Sequence, residues 1–273
     1  MSRPDDRGGS EPEAPMTPND PAAPVRGVRV HCVLVAAGSG TRLGDRGPKA
    51  FVELAGRPLL AHALEGLARS GVVDSIVVVG PAGRIPDADA ASRSALASAG
   101  WTGPLAVVPG GSTRQGSVVA GLAALDDLAA PDETDVVLVH DAARCLTPGA
   151  QIRDVVEAVV GGHGAVIPVV PVTDTLKRVG EASADGTEPV TATVDRAVLR
   201  AVQTPQGFTC AVVRSAHEFG AERAGDESLA ATDDAGLVEA AGGQVVVVPG
   251  SMEALKVTTP WDLRVAELIV AGR

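Results

Sequence analysis

Unbroken aliphatic runs, each followed by a turn and then a helix-like stretch, constrain this chain more than any other feature. Residues 75–79, 135–139 and 165–170 carry apolar side chains at nearly every position, and residues 28–35 and 105–108 are similarly β-prone. A strand of that kind has both faces buried, the condition of a parallel sheet covered by helices. Between the runs, residues 59–69 space their apolar positions at three and four and run into Gly71, a helix with a glycine stop. Residues 89–99, 113–128 and 151–160 read as further helices, the second capped by Ser112 or Thr113. Later segments continue the pattern, with helices over 211–221 and 232–241, a strand over 244–248 and a closing helix from Pro260 to Ala271. Asp233 and Asp234 fall in the first turn of the 232–241 helix, where negative charge suits the dipole. This order predicts an α/β fold, a Rossmann-like, mostly parallel sheet with helices on both faces. Ligands of such sheets sit beyond the carboxyl ends of the strands. The loops at 36–49, 109–117 and 140–147 all follow strands at that end and should therefore converge.

Composition narrows the possible partners. The chain is 45% hydrophobic but only 2% aromatic, with no Tyr, so its core must be built from Val, Leu, Ala and Ile. A net charge of −11 argues against general nucleic-acid binding, and any phosphate site must be a local cationic pocket in an acidic body. Cys32, Cys145 and Cys210 lie far apart with no CxxC pair, which fits a reducing cytoplasm better than a disulfide scaffold. No two of the five histidines stand at a spacing of three or four. Residues 1–27 are rich in Pro, Gly, Asp and Glu without an apolar run, and are expected to be a disordered tail before a single domain over 28–273. No run is long and apolar enough to suggest a membrane helix, so a soluble, cytoplasmic protein without membrane partners is expected.

Residues 171–197 break the rhythm. Two short β-prone stretches, 175–179 and 189–194, flank a polar segment as in a hairpin with little apolar content of its own. The segment is either a loose insertion or an arm that packs on another subunit. An isolated hairpin is marginal in water, which favours the arm.

The first aliphatic run breaks into Ala36, Ala37, Gly38, Ser39, Gly40, Thr41, Arg42, Leu43 and Gly44, with Pro48 and Lys49 shortly after. Glycines let backbone N–H groups approach phosphate oxygens, and Arg42 and Lys49 bring positive charge to the same place. A P-loop would need Gly-Lys followed by Ser or Thr, whereas Lys49 stands between Pro48 and Ala50. A dinucleotide loop would need a third glycine one position earlier and an acid ending the second strand, which instead reads Val79-Gly80-Pro81. The remaining possibility is a loop that wraps a nucleoside triphosphate for nucleotidyl transfer.

Here the residues resemble a known family. The loop resembles the first motif of the nucleotidyltransferases that activate sugars and alcohol phosphates. In order there follow GGSTRQGSV (110–118), VHDAAR (139–144), DTLK (174–177), VDR (194–196), QTPQGF (203–208), TDDA (232–235) and LKVT (255–258). Together they resemble the 2-C-methyl-D-erythritol 4-phosphate cytidylyltransferase family over about residues 28–273. The resemblance implies transfer of CMP from CTP to 2-C-methyl-D-erythritol 4-phosphate with release of pyrophosphate, in non-mevalonate isoprenoid biosynthesis. It implies Arg42, Lys49 and Lys256 as catalytic cations on the phosphates, because charge builds at the α-phosphorus and on the departing pyrophosphate. It implies CTP held near Ala36, Ala37, Gly38, Gly40, Gly110, Ser112, Ser117, Asp141 and Ala142. Asp141 matches the family's metal-binding aspartate and implies Mg²⁺, with Glu253 standing where some members carry a second metal-binding Asp. Arg144, Thr175, Arg196 and Thr204 match acceptor-binding positions. The 171–197 segment matches an arm that crosses to the neighbouring subunit, which implies a homodimer with shared sites. A ribitol 5-phosphate cytidylyltransferase, a sugar-1-phosphate uridylyltransferase or a non-catalytic nucleotide-binding module remain the alternatives.

Overall fold

Val30–Val35 (β1) alternates its side chains between two apolar layers, Cys32 and Leu34 entering one and Val33 the other. The computed structural model describes residues 27–43, 47–224 and 233–273; all of the expected tail but Gly27, together with Gly44 and Thr232, lies outside them. After β1 come a small hairpin, Glu53–Leu54 (β2) with Arg57–Pro58 (β3), and helix Leu59–Ser70 (α1). Ser75–Gly80 (β4), Ile85–Ser98 (α2), Leu105–Pro109 (β5), Arg114–Ala129 (α3) and Val136–Asp141 (β6) continue the alternation. Gly149–Val160 (α4) and Ala165–Pro171 (β7) lead to an exposed hairpin, Leu176–Val179 (β8) with Val190–Val194 (β9). Arg200–Val202 (β10), Gln206–Thr209 (β11), Cys210–Phe219 (α5), Asp234–Ala240 (α6), Val246–Pro249 (β12) and Pro260–Ala271 (α7) complete the chain.

Among the described residues the main sheet has eight strands. β5, β4, β1 and β6 lie side by side and parallel; β11 runs antiparallel between β6 and β7. β12 pairs in parallel with the far edge of β7, and β10 joins β7 on the edge that faces β11. Helices α1, α2, α4 and α7 cover one face, and α3, α5 and α6 cover the other. The mostly parallel sheet with helices on both faces is thus present. Strand order reverses about β1, with β4 on one side and β6 on the other, and such a switch point opens a crevice at the carboxyl ends.

Local chemistry accounts for the element ends. Gly71 takes the left-handed conformation (φ 75°) and closes α1 through its N–H to the Ala68 carbonyl. Thr113 caps α3 by accepting the Gly116 N–H at 2.8 Å. Gly121 lets α3 lie directly on the sheet, since a Cβ there would come within 2.4 Å of Val33 Cγ1.

The structure departs from the sequence reading in two places. α2 starts four residues before the expected 89, because Pro86 in the first turn has no N–H to leave unpaired there. β2, β3, β10 and β11 were not expected, being two to four residues long with little aliphatic pattern. Asp234 does stand in the first turn of α6, after the cap Asp233, and is 1% exposed and ion-paired inside the protein. The hairpin of 171–197 is present, with residues 173–193 exposed apart from half-buried Gly180. Among the described residues no helix is long and apolar enough to cross a membrane.

Candidate active site

The three loops meet at the carboxyl ends of β1 and β6. They enclose a cavity of about 560 Å³, walled by 35–42, 49–50, 111–114, Ser117, 141–143, Lys256 and Thr258. The glycine-rich loop folds back on itself, the Lys49 N–H reaching the Gly38 carbonyl at 3.1 Å. Gly40 (φ 75°) makes this turn, and a Cβ there would sit 3.0 Å from the Lys49 nitrogen. Buried Leu43 anchors the short turn Thr41–Leu43, which leaves Arg42 exposed at the rim of the cavity. Lys49 is half-buried with its Nζ 3.5 Å from Thr258 Oγ1. Burial, then the neighbouring charges of Lys256 and Arg42, lower its ammonium to about 8, against the pull of Asp141.

Asp141 ends β6 and is buried against cations. Arg114 Nε donates to its Oδ1 at 3.2 Å, and Lys256 Nζ lies 2.7 Å from its Oδ2. Burial opposes its charge, but Arg114 and Lys256 prevail and hold the carboxyl far below the usual carboxylate range. Arg114 also pairs with Asp234 Oδ2 at 2.8 Å, and Asp234 Oδ1 meets His217 Nε2 at 3.0 Å. Burial disfavours the Arg114 cation too, yet Asp234 and Asp141 together keep it protonated above the ordinary arginine value. Arg114 carried no role in the sequence reading. Its motif was visible, but its partners lie far along the chain.

A second cavity of about 430 Å³ shares Arg114, Asp141 and Lys256 with the first. Arg144 and Thr204 line it, beside Gln203, Gln206, Asp233 and Glu239. Arg144 spans two segments, donating to the Ala254 carbonyl at 2.7 Å and the Val202 carbonyl at 2.9 Å. Thr204 Oγ1 accepts the Asp141 N–H at 3.1 Å and lies 2.7 Å from His140 Nδ1. Burial lowers His140 to about 4, so it is neutral at pH 7.

Most of the expected residues come together. Ala36, Ala37, Gly38, Gly40, Arg42, Lys49, Ser112, Ser117, Asp141, Ala142 and Lys256 line the first cavity. Gly110 stands just behind the wall, where a Cβ would sit 2.4 Å from Ala37 Cβ and 2.9 Å from Ser117 Oγ. Thr175 and Arg196 line neither cavity; both are exposed on or beside the hairpin, and Arg196 donates to the Thr173 carbonyl. Glu253 is likewise outside both walls and pairs with Arg273. Among the described residues no three His, Cys, Asp or Glu side chains converge as a metal cage. A single ionised carboxylate between two cavities suits Mg²⁺, which takes one or two protein carboxylates and completes its shell with phosphate oxygens and water.

The sequence and the fold have counterparts among known proteins. The family model described as IspD, 2-C-methyl-D-erythritol 4-phosphate cytidylyltransferase, matches residues 30–272. The chain is 46% identical over 250 residues to the 2-C-methyl-D-erythritol 4-phosphate cytidylyltransferase of Streptomyces avermitilis, covering 90% of this chain and 94% of that protein. It is 48% identical over 242 residues to that of Saccharopolyspora erythraea, covering 89% of this chain and 99% of that one. The crystal structure of the Thermus thermophilus protein of the same name superposes with a TM-score of 0.64 at 33% identity, covering 88% of this chain and 98% of that chain. Fold and sequence agree: this chain belongs to the 2-C-methyl-D-erythritol 4-phosphate cytidylyltransferase family.

Proposed function

We infer that this chain transfers CMP from CTP to 2-C-methyl-D-erythritol 4-phosphate and releases pyrophosphate; the family names state the cytidylyl transfer and its acceptor. The observation that carries the residue assignment is Asp141, with Lys256 and Arg114, in the wall between two cavities. One cavity takes the triphosphate and the other the acceptor, so the two reacting phosphates meet at that wall. The acceptor phosphate is already anionic and needs no general base. What the reaction needs is positive charge where the α-phosphorus gains an oxygen and pyrophosphate departs. Arg42 and Lys49 supply it from the glycine-rich loop, and Lys256 from the opposite side.

Backbone near Ala36, Ala37 and Gly110, with Ser112, receives the cytosine. The Ser117 hydroxyl donates to the Thr113 carbonyl at 2.8 Å, which leaves its oxygen to accept from the base's amino group. Asp141 would hold Mg²⁺, which would neutralise phosphate charge and orient the triphosphate. Glu253, outside both cavity walls and paired with Arg273, would not hold it directly. Arg144 and Thr204 serve the acceptor from this chain. Thr175 and Arg196 come from the 171–197 arm of a second copy, which makes the active unit a homodimer of single catalytic domains spanning 28–273. Exposed Val179, Val190 and Val198 support this reading, since a lone arm leaves them in water.

The test is pyrophosphate release from CTP with the methylerythritol phosphate, with UTP, ATP and ribitol 5-phosphate as controls. Release with CTP and the methylerythritol phosphate at least tenfold faster than with any control is expected. Equal rates with ribitol 5-phosphate would overturn the acceptor assignment.

A further inference from the structure

Residues 203–206 bring two buried amides beside Asp141. Gln206 lies on β11, fully buried in the sheet. A buried amide is costly unless both ends are satisfied, and here both are. Its Oε1 accepts the N–H groups of Asp234 and Ala235 at 3.1 and 3.0 Å, while Nε2 donates to Asp233 Oδ2 at 2.8 Å. Gln206 therefore ties down the start of α6, the point from which Asp234 reaches Arg114. Arg114 in turn grips Asp141.

Gln203 works in the same way on a different segment. Its Nε2 donates to the Ser251 carbonyl at 2.8 Å and its Oε1 accepts the Ser251 N–H at 3.1 Å. Gly250 admits this clasp, since a Cβ there would lie 2.4 Å from Gln203 Oε1. The clasped segment leads directly to Lys256, and it is further pinned by Val257 N–H to the Ala143 carbonyl at 2.8 Å. Between the two glutamines, Thr204 holds the Asp141 backbone.

We propose that Gln203 and Gln206 are positioning residues: Gln203 sets the segment bearing Lys256, and Gln206 sets the helix end that presents Asp234 to Arg114. Both stand in the wall of the second cavity and act on Asp141 from opposite sides through the segments they hold. One short stretch thus aligns the strand end, the lysine segment and α6 at the wall between the cavities. The proposal rests on the transferase reading for its kinetic consequences but not for the ion-pair chain itself.

Gln206→Met and Gln203→Met keep side-chain length and remove the amide. In each, kcat is expected to fall about 10- to 100-fold while KM for CTP stays within about threefold, the mark of a contact felt mainly in the transition state. Combining Gln206→Met with Arg114→Lys should cost far less than the product of the two single losses, because both break one chain of contacts. Leu96→Val, in α2 away from the site, controls for lowered stability and should leave kcat unchanged. The Nε–H resonance of Arg114 in ¹⁵N-labelled protein reads the ion pair without substrate and should shift in Gln206→Met. Should Gln206→Met prove unfoldable, Gln206→Glu keeps the acceptor, loses the donor, and should move the same resonance. Wild-type kcat in the folded variants, multiplicative losses with Arg114→Lys, or an unmoved resonance would overturn the proposal. Absence of transfer by the wild-type enzyme would instead remove the functional reading and leave the resonance test standing.

Discussion

The glycine-rich loop and the 176–194 hairpin are both short excursions from the same sheet, yet they are held in opposite ways. The loop is folded onto strand ends by Leu43, the Lys49–Gly38 hydrogen bond and the buried Asp141 beneath it. The hairpin has its own ladder between β8 and β9, but residues 173–193 stay exposed on the single chain apart from half-buried Gly180. On the proposed reading, this difference divides the site. One chain holds the triphosphate loop in place by itself, whereas the hairpin's share of the acceptor contacts requires something for it to pack against.

That contrast can be broken experimentally, first at its rigid end. Arg42→Ala or Lys49→Ala should lower kcat by about 10²- to 10³-fold, as for loss of one transition-state charge contact. CTP affinity, measured by calorimetry, should weaken less than about tenfold in the same variants. Turnover close to wild type would remove the loop from the chemistry.

At the hairpin, Thr175→Ala and Arg196→Ala should raise KM for the polyol phosphate by about tenfold, a loss of about 1.4 kcal/mol of binding. CTP affinity should not move. A matching loss of CTP affinity would place these residues with the nucleotide and erase the contrast.

A pH profile sharpens the comparison further. A lysine is charged below its pKa, and Lys49 is lowered to about 8 by burial and neighbouring cations. In the free enzyme kcat/KM for CTP should therefore fall as pH rises through about 8, approaching tenfold per unit. Lys49→Arg should carry that limb to higher pH, since guanidinium keeps its proton. An unchanged limb would assign the titration elsewhere.

The smallest effects concern stability alone. Gly121→Ala forces a methyl against Val33 and should destabilise by about 1–3 kcal/mol in denaturant titration. Val190→Ser on the hairpin should leave the unfolding midpoint of a dilute, monomeric sample nearly unchanged, because this side chain is 61% exposed. A large shift there would mean that the single chain already buries the arm.

What could be read in the sequence follows the same division. Buried parallel strands are continuous aliphatic runs, so β1, β4, β6 and β7 were legible within two residues at their ends. β11 was not, because Gln206–Thr209 is placed by pairing with β6 and β7 rather than by its own pattern. That Arg42 and Lys49 would line one cavity was legible because glycines and cations lie together in one loop. The contacts of Arg114, Gln203 and Gln206 were hidden, since each reaches a segment distant in the chain and chosen only by folding. The first-turn place of Asp234 was legible, but its burial between Arg114 and His217 was not, for the same reason.

The central claim is that the triphosphate half of each site lies in one chain and part of the acceptor half in the arm of another. Mixing an Arg196→Ala chain with a Lys49→Ala chain tests it directly. At low acceptor concentration the Lys49→Ala chain alone should be nearly inactive and the Arg196→Ala chain alone should keep about a tenth of wild-type activity. After random re-association, half the dimers combine one intact loop with one intact arm, so about a quarter of wild-type activity should return. Dimers that exchange subunits yet regain no activity would contradict the account.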